Sequence, residues 1–208
     1  MNVLAVGAHA DDVELGCGGS LAKHVRRGDR VFIYTATTSG GINPYGEQIR
    51  DEKVSASDGE KSAALLGAKL IVGKFRTNEL AFDDALNVDL IRVIDEKQID
   101  MMYTHWDGDA HHDHKMLSLA SIHAGRHLNR ILMYRSNWFK SPNAFDENFY
   151  VDISDTWEIK ENLLNCYPAE MSRTQGDWLR FNKNRAENYG MMLGVRYAEA
   201  FHCVKWSL

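Results

Sequence analysis

Two short stretches of the sequence concentrate side chains that bind metals and move protons. The first is Gly7-Ala8-His9-Ala10-Asp11-Asp12-Val13-Glu14-Leu15-Gly16-Cys17-Gly18-Gly19. The second is Thr104-His105-Trp106-Asp107-Gly108-Asp109-Ala110-His111-His112-Asp113-His114, which holds four of the chain's nine histidines. Zinc readily takes imidazole nitrogen and carboxylate oxygen, and a catalytic zinc uses three protein ligands and keeps a position for water. His9 and Asp12, with one histidine of the second stretch, would make such a site. Asp11 is adjacent and need not ligate, so it could act as a base. A remaining histidine could give a proton or stabilise an oxyanion, with Asp109 or Asp113 fixing an imidazole tautomer. The blander readings are a helix cap at Asp11 or Asp12 and a solvated histidine cluster. The density of histidines between 105 and 114 weighs against the second.

The first stretch also stands where a nucleotide-binding glycine loop would, directly after a strand-like run. That loop needs glycines at its first, third and sixth positions, and counted from Gly7 these hold Gly7, His9 and Asp12. A pyrophosphate would meet an imidazole and two carboxylates, so sterics and charge both oppose it. Gly16, Gly18 and Gly19 suit instead a helix packed close to a sheet, with Leu21 and Val25 buried and Gly28 as its stop. Cys17 reads as a small buried residue rather than a nucleophile.

Both stretches need elements to hold them. Apolar runs predict strands over 2–7, 30–36, 70–74, 100–104, 130–135 and 149–153, and helical patterns lie at 17–27, 51–66, 86–97, 112–128 and 155–166. In the third helix Leu86, Leu90, Val93 and Ile94 share one face. This alternation predicts an α/β fold, a Rossmann-like three-layer sandwich with a mostly parallel sheet. Loops 37–50 (with Pro44) and 105–113 follow strands and so lie at the carboxyl edge, where open α/β sheets bind ligands. From 154 onward the pattern is helical, ending in a strand at 197–205. Nothing divides the chain, and residues 1–208 read as a single domain.

Composition sets the outer limits. A chain of 208 residues with 44% hydrophobic and 25% charged residues is not disordered or of low complexity. No apolar run approaches the roughly 20 residues of a membrane span, and the first residues lack a basic n-region, so the expected compartment is the cytoplasm. A net charge of −5 argues against nucleic acid as a partner. Cys17, Cys166 and Cys203 are dispersed and odd in number, as in a reduced interior. His24, His123, His127 and His202 carry no spacing argument and read as structural or exposed.

The first stretch resembles the His-Pro-Asp-Asp-x-x-x-Gly-x-Gly-Gly run of the LmbE-like (PIG-L) zinc-dependent de-N-acetylases, with Ala10 at the usual proline. His111-His112-Asp113-His114 is similar to that family's His-Pro-Asp-His motif, with His112 at the proline. Tyr150-Val151-Asp152-Ile153-Ser154-Asp155 and the tail Gly194-Val195-Arg196-Tyr197-Ala198-Glu199-Ala200-Phe201 also resemble it. The resemblance implies His9, Asp12 and His114 as ligands of one zinc ion per chain, with another divalent metal as the alternative. It implies Asp11 as general base, His111 as the transition-state-stabilising or acid histidine, and Asp113 as the support of His111. In the reaction read here His111 is expected to be cationic and to stabilise the oxyanion. The family often has an arginine upstream of the Leu-Gly that ends the second helix. Counting back from Leu66-Gly67, that position is Ser55, and Arg50 is expected to substitute, with Arg76 and Asn78 as further substrate-binding candidates.

The implied reaction is hydrolysis of an N-acetyl group on an amino sugar or its conjugate, with a small-molecule amino sugar as partner. Homo-oligomers are common among similar proteins. Tyr45, Trp106, Trp138 and Phe139 are aromatic candidates for lining a sugar cleft. The alternatives are a metal-dependent hydrolase of another amide or ester bond and a non-catalytic sugar-binding protein on the same scaffold.

Overall fold

The computed structural model describes residues 1–42 and 45–207; Pro44, in the expected loop, lies outside the described residues. Its strands are β1 (Asn2–Gly7), β2 (Arg30–Thr37), β3 (Gly41–Ile42), β4 (Gln48–Arg50), β5 (Lys69–Phe75), β6 (Met101–His105), β7 (Arg130–Tyr134), β8 (Phe149–Asp152) and β9 (Ala198–Trp206). The helices are α1 (Asp12–Arg26), α2 (Glu52–Leu66), α3 (Asp84–Glu96), α4 (His112–Ala124), α5 (Trp157–Leu164), α6 (Pro168–Arg173) and α7 (Asp177–Leu193).

Seven strands form the main sheet in the order β5-β2-β1-β6-β7-β9-β8. The five strands from β5 to β7 are parallel, and β9 runs antiparallel to both β7 and β8. The central strands are apolar on both faces because helices cover both. Leu4 and Val6 of β1 join Phe32, Met102, Leu86, Leu90 and Leu117 on one side. Val3 and Ala5 join Val13, Leu21, Ile33, Tyr103 and Leu163 on the other. The buried stripe expected on α3 is present at Leu86, Leu90, Val93 and Ile94.

The strand order reverses at β1, which has β2 on one side and β6 on the other. That switch point opens a crevice at the carboxyl edge. The loops leaving β1 and β6 flank it, and these two loops carry the two chemistry-bearing stretches.

Three boundaries differ from expectation. The first helix begins at Asp12 rather than 17, because tertiary packing overrides the low helix propensity of Gly16, Gly18 and Gly19. A side chain at Gly16 would collide with the Tyr134 ring, so this glycine allows α1 to lie against β7. The 37–50 segment is not wholly irregular: β3 and β4 pair as an antiparallel ribbon. The fourth helix stops at Ala124 rather than 128, where the chain turns through Gly125 towards β7.

Candidate metal centre and active site

His9, Ala10 and Asp11 lie between the end of β1 and the start of α1. Asp11 occupies the N-cap position without a side-chain capping bond, so the capping reading fails for it. Its φ of 109° is a strained conformation for a residue with a Cβ. Asp12, in the first turn of α1, is buried and held from several directions. The His9 backbone N–H donates to Oδ2 at 2.8 Å, and the Ser136 hydroxyl donates to Oδ1 at 3.0 Å. His114 Nε2 lies 3.2 Å from Oδ1, and His9 Nδ1 and His105 Nε2 lie 3.3 and 3.2 Å from Oδ2. Burial pushes the Asp12 carboxyl up, and the rings of His114 and His105 outweigh it and hold it well below the usual carboxylate range.

The second stretch turns from β6 into α4. His111 is the N-cap: its Nδ1 accepts the Asp113 backbone N–H at 3.2 Å. His114 reaches back with Nδ1 3.2 Å from Asp109 Oδ2. Asp113 departs from its expected role. Its carboxylate lies 3.0 Å from His9 Nε2 and accepts the backbone N–H groups of Asn78 and Leu80 at 2.7 and 3.3 Å. The carboxylate therefore orients His9, and only the backbone N–H of Asp113 meets His111. The first turn of α4 directs that side chain across the crevice, which sequence adjacency to His111 does not reveal.

The surroundings of His111 also bear on its charge. Burial, with His114 and His9 beside it, pulls this imidazole down to about 4, so it is neutral near pH 7. Its Nδ1 lone pair is engaged by Asp113 N–H, which leaves the ring proton on Nε2.

Ligand atoms of His9, His111 and His114 lie within 4.8 Å of one another, as do those of Asp12, His105 and His114. The expected set of His9, Asp12 and His114 draws two members from each group. The electrostatics suit a cation. Burial pulls His9 and His114 down, but neighbouring carboxylates raise both, His9 through Asp113 and Asp12 and His114 to about 10 through Asp12 and Asp109. Imidazole and carboxylate donors converging in a field that favours positive charge fit zinc, whose binding displaces protons from its ligands.

The model of the GlcNAc-PI de-N-acetylase (PIG-L) family matches residues 4–125, which include both stretches. The chain belongs to the PIG-L family. Diacetylchitobiose deacetylase of Thermococcus kodakarensis is 25% identical, with 97% of this chain and 82% of the relative covered. The uncharacterized deacetylase YaiS of Escherichia coli is 31% identical over 69% of this chain and 80% of its own length. Among solved structures, N,N'-diacetylchitobiose deacetylase from Pyrococcus horikoshii, complexed with its inhibitor MPG, superposes with a TM-score of 0.83 at 22% identity. That match covers 98% of this chain and 83% of the other, and it shows a shared fold.

In this PIG-L chain the remaining candidates fall into place unequally. Arg50 leaves β4 and inserts between two carboxylates, with Nη2 2.7 Å from Asp11 Oδ2 and Nε 3.8 Å from Glu170 Oε1. It also donates to the carbonyl oxygen of Ala10, and its Nε donates to Ser55 Oγ at 3.0 Å. The guanidinium thus occupies the neighbourhood of the position where the family often carries arginine. Burial pushes Asp11 up to about 7, against the opposing charge of Arg50.

Asn78 gives its backbone N–H to Asp113 and has a φ of 66°. Arg76 is 81% exposed and pairs with Glu79. Arg50, Arg76 and Asn78 nonetheless line one cleft of about 490 Å³, together with Gly40, Gly41 and Glu79. The aromatic candidates do not line this cleft. Trp106 is buried and packs on Phe145, while Tyr45 and Phe139 are largely exposed.

Sequence reasoning missed the roles of Ser136, Asn137 and Glu170, while His105 reads from the sequence as a loop or supporting residue rather than a ligand. His105 is fully buried, stacks on His114 with ring centroids 3.9 Å apart, and is pulled down to about 4 by burial and by His114. It is the last residue of β6, beside the switch point. Ser136, Asn137 and Glu170 are isolated polar residues far along the chain and offered no usable signal.

Proposed function

We propose that the chain is a zinc-dependent deacetylase that removes the acetyl group from an N-acetylated amino sugar or its conjugate. The observation that carries this reading is the convergence of His9, Asp12 and His114, with Asp11 buried beside them and paired to Arg50. His9, Asp12 and His114 would hold the ion. Zinc bound there would polarise the amide carbonyl and make water nucleophilic near neutral pH.

The protein's own groups supply the proton handling. Asp11 Oδ2 faces Arg50, and the described residues place no hydrogen bond on Oδ1. Oδ1 is therefore the oxygen that takes the proton as water attacks and returns it to the leaving amine. A pKa near the working pH suits a group that must do both. His111 acts as a neutral donor: its Nε2–H is directed at the developing oxyanion, with tautomer and orientation set by the N-cap bond to Asp113 N–H. The Asp113 carboxylate acts through His9, as a positioning group.

The substrate class rests on family membership and on the activities named for the diacetylchitobiose deacetylase relatives. The polar cleft lined by Arg50 and Asn78 suits hydroxyl-rich ligands. Hydrolysis of another bond, such as a phosphoester, by a two-metal mechanism is disfavoured because the two candidate ligand groups share His114 and so describe one centre. Acetate release from a panel of N-acetylated mono- and disaccharides, in zinc-loaded and chelated protein, tests the proposal.

Arg50 gives a separate prediction. Arg50→Ala should lower kcat/KM roughly 10–100-fold, the equivalent of losing a charge-assisted hydrogen bond worth about 1.5–3 kcal/mol. Steady-state kinetics on the panel's best substrate checks this. Unchanged kinetics would remove Arg50 from substrate binding and leave Arg76 as the next candidate.

A further inference from the structure

We infer that Ser136 and Asn137, just beyond the end of β7, form a two-residue clamp that positions the metal ligands and sets the affinity for zinc. The inference rests on the metal centre proposed above and extends it to a segment outside both motifs.

The two neighbours grip different stretches. Ser136, buried, donates its hydroxyl to Asp12 Oδ1 at 3.0 Å, the same oxygen that faces His114 Nε2. Since His9 N–H already holds Oδ2, the Asp12 carboxylate is fixed by a donor on each oxygen. Asn137 grips the second stretch. Its Oδ1 accepts the Phe139 backbone N–H at 3.0 Å, and that bond decides which way the amide points. The NH₂ group therefore faces Asp109 and lies 2.8 and 2.9 Å from its two oxygens. Asp109 in turn accepts the His111 backbone N–H at 2.8 Å and lies against His114 Nδ1.

A carboxylate on Nδ1 leaves His114 Nε2 as the nitrogen aimed at a metal, the arrangement that raises ligand basicity. One dipeptide just beyond β7 thus ties Asp12, in the first turn of α1, to Asp109 before α4 and His114 in its first turn. The dipeptide adds to the direct contacts between the motifs, which join His9 to Asp113 and Asp12 to His105 and His114. Ser136 and Asn137 are positioning residues, since neither is expected to touch the substrate.

The test is zinc affinity of the metal-free full chain, measured by competition with a chromophoric chelator for Zn²⁺ alone. Circular dichroism on each sample confirms that it is folded. Ser136→Ala and Asn137→Ala should each raise the zinc Kd about 10–100-fold, the usual cost of removing a group that orients a ligand. Asn137→Asp keeps the size but sets a carboxylate against Asp109, and should weaken zinc at least as much as alanine. With zinc in saturating excess, kcat and KM of the alanine variants should return to near wild-type values, which a role in chemistry or substrate binding would not allow.

Folded Ser136→Ala and Asn137→Ala proteins that bind zinc within twofold of wild type would overturn the clamp. So would activity that stays lost at saturating zinc. If wild-type protein takes up no zinc, the metal centre itself is refuted and the clamp with it.

Discussion

Asp11→Asn should keep its zinc and lose about 10²–10⁴ in kcat, the range that a positioned general acid–base supplies. Asparagine is the informative replacement for two reasons. It preserves the shape of the carboxylate while abolishing its basicity, and it tolerates the positive φ observed at this position better than most residues. The strain at Asp11 lifts its side chain out of the helix cap and towards Arg50. A relaxed N-cap aspartate would instead turn its oxygens onto the backbone of α1. Metal analysis beside kinetics checks the assignment. An Asp11→Asn protein that had lost its zinc would make Asp11 a ligand, and one with full turnover would end its role as base.

The second large effect separates His114 from His111, whose rings stack with centroids 4.4 Å apart. His114 faces Asp12 through Nε2 and Asp109 through Nδ1, the disposition of a ligand backed by a carboxylate. His114→Ala should therefore weaken zinc by more than the 10–100-fold typical of an outer-sphere change, and activity should fall with metal content. His111 is an N-cap whose imidazole is pulled down to about 4, and among the described residues no hydrogen bond falls on its Nε2. His111→Ala should retain zinc and nearly unchanged substrate affinity while kcat falls about 10²–10³, as when one oxyanion donor is removed. Because His111 also lies within ligand range of His9 and His114, the opposite outcome has a definite meaning. Zinc lost from His111→Ala and kept in His114→Ala would make the three histidines the metal site.

The convergence of the two stretches was legible because each is nearly contiguous and each follows a strand. Once β1 and β6 are adjacent and the strand order reverses between them, His9, Asp11 and Asp12 must face His111 and His114. Legibility failed where a role depends on partners distant in sequence. Asp113 sits beside His111 in the chain, yet its carboxylate belongs to His9, Asn78 and Leu80. The charge of His111 follows from its burial and from two imidazoles packed around it, and neither is encoded in its own neighbourhood. The early start of α1 was hidden by glycines that disfavour helix locally and are required by contact with Tyr134. Ser136 and Asn137 carry residue types common on any surface, and only the crossing from β7 to the crevice gives them meaning.

The most direct measurement of the central claim is acetate release from N-acetylated sugars by one protein sample before chelation, after chelation and after zinc is restored, with circular dichroism recorded at each stage. The proposed ligands lie beyond the ends of β1 and β6, while the core is built from Leu4, Phe32, Met102 and their neighbours, so the fold is expected to persist without the ion. Activity should therefore disappear on chelation while the spectrum is unchanged, and return with zinc. Full acetate release by the metal-free protein would contradict the account.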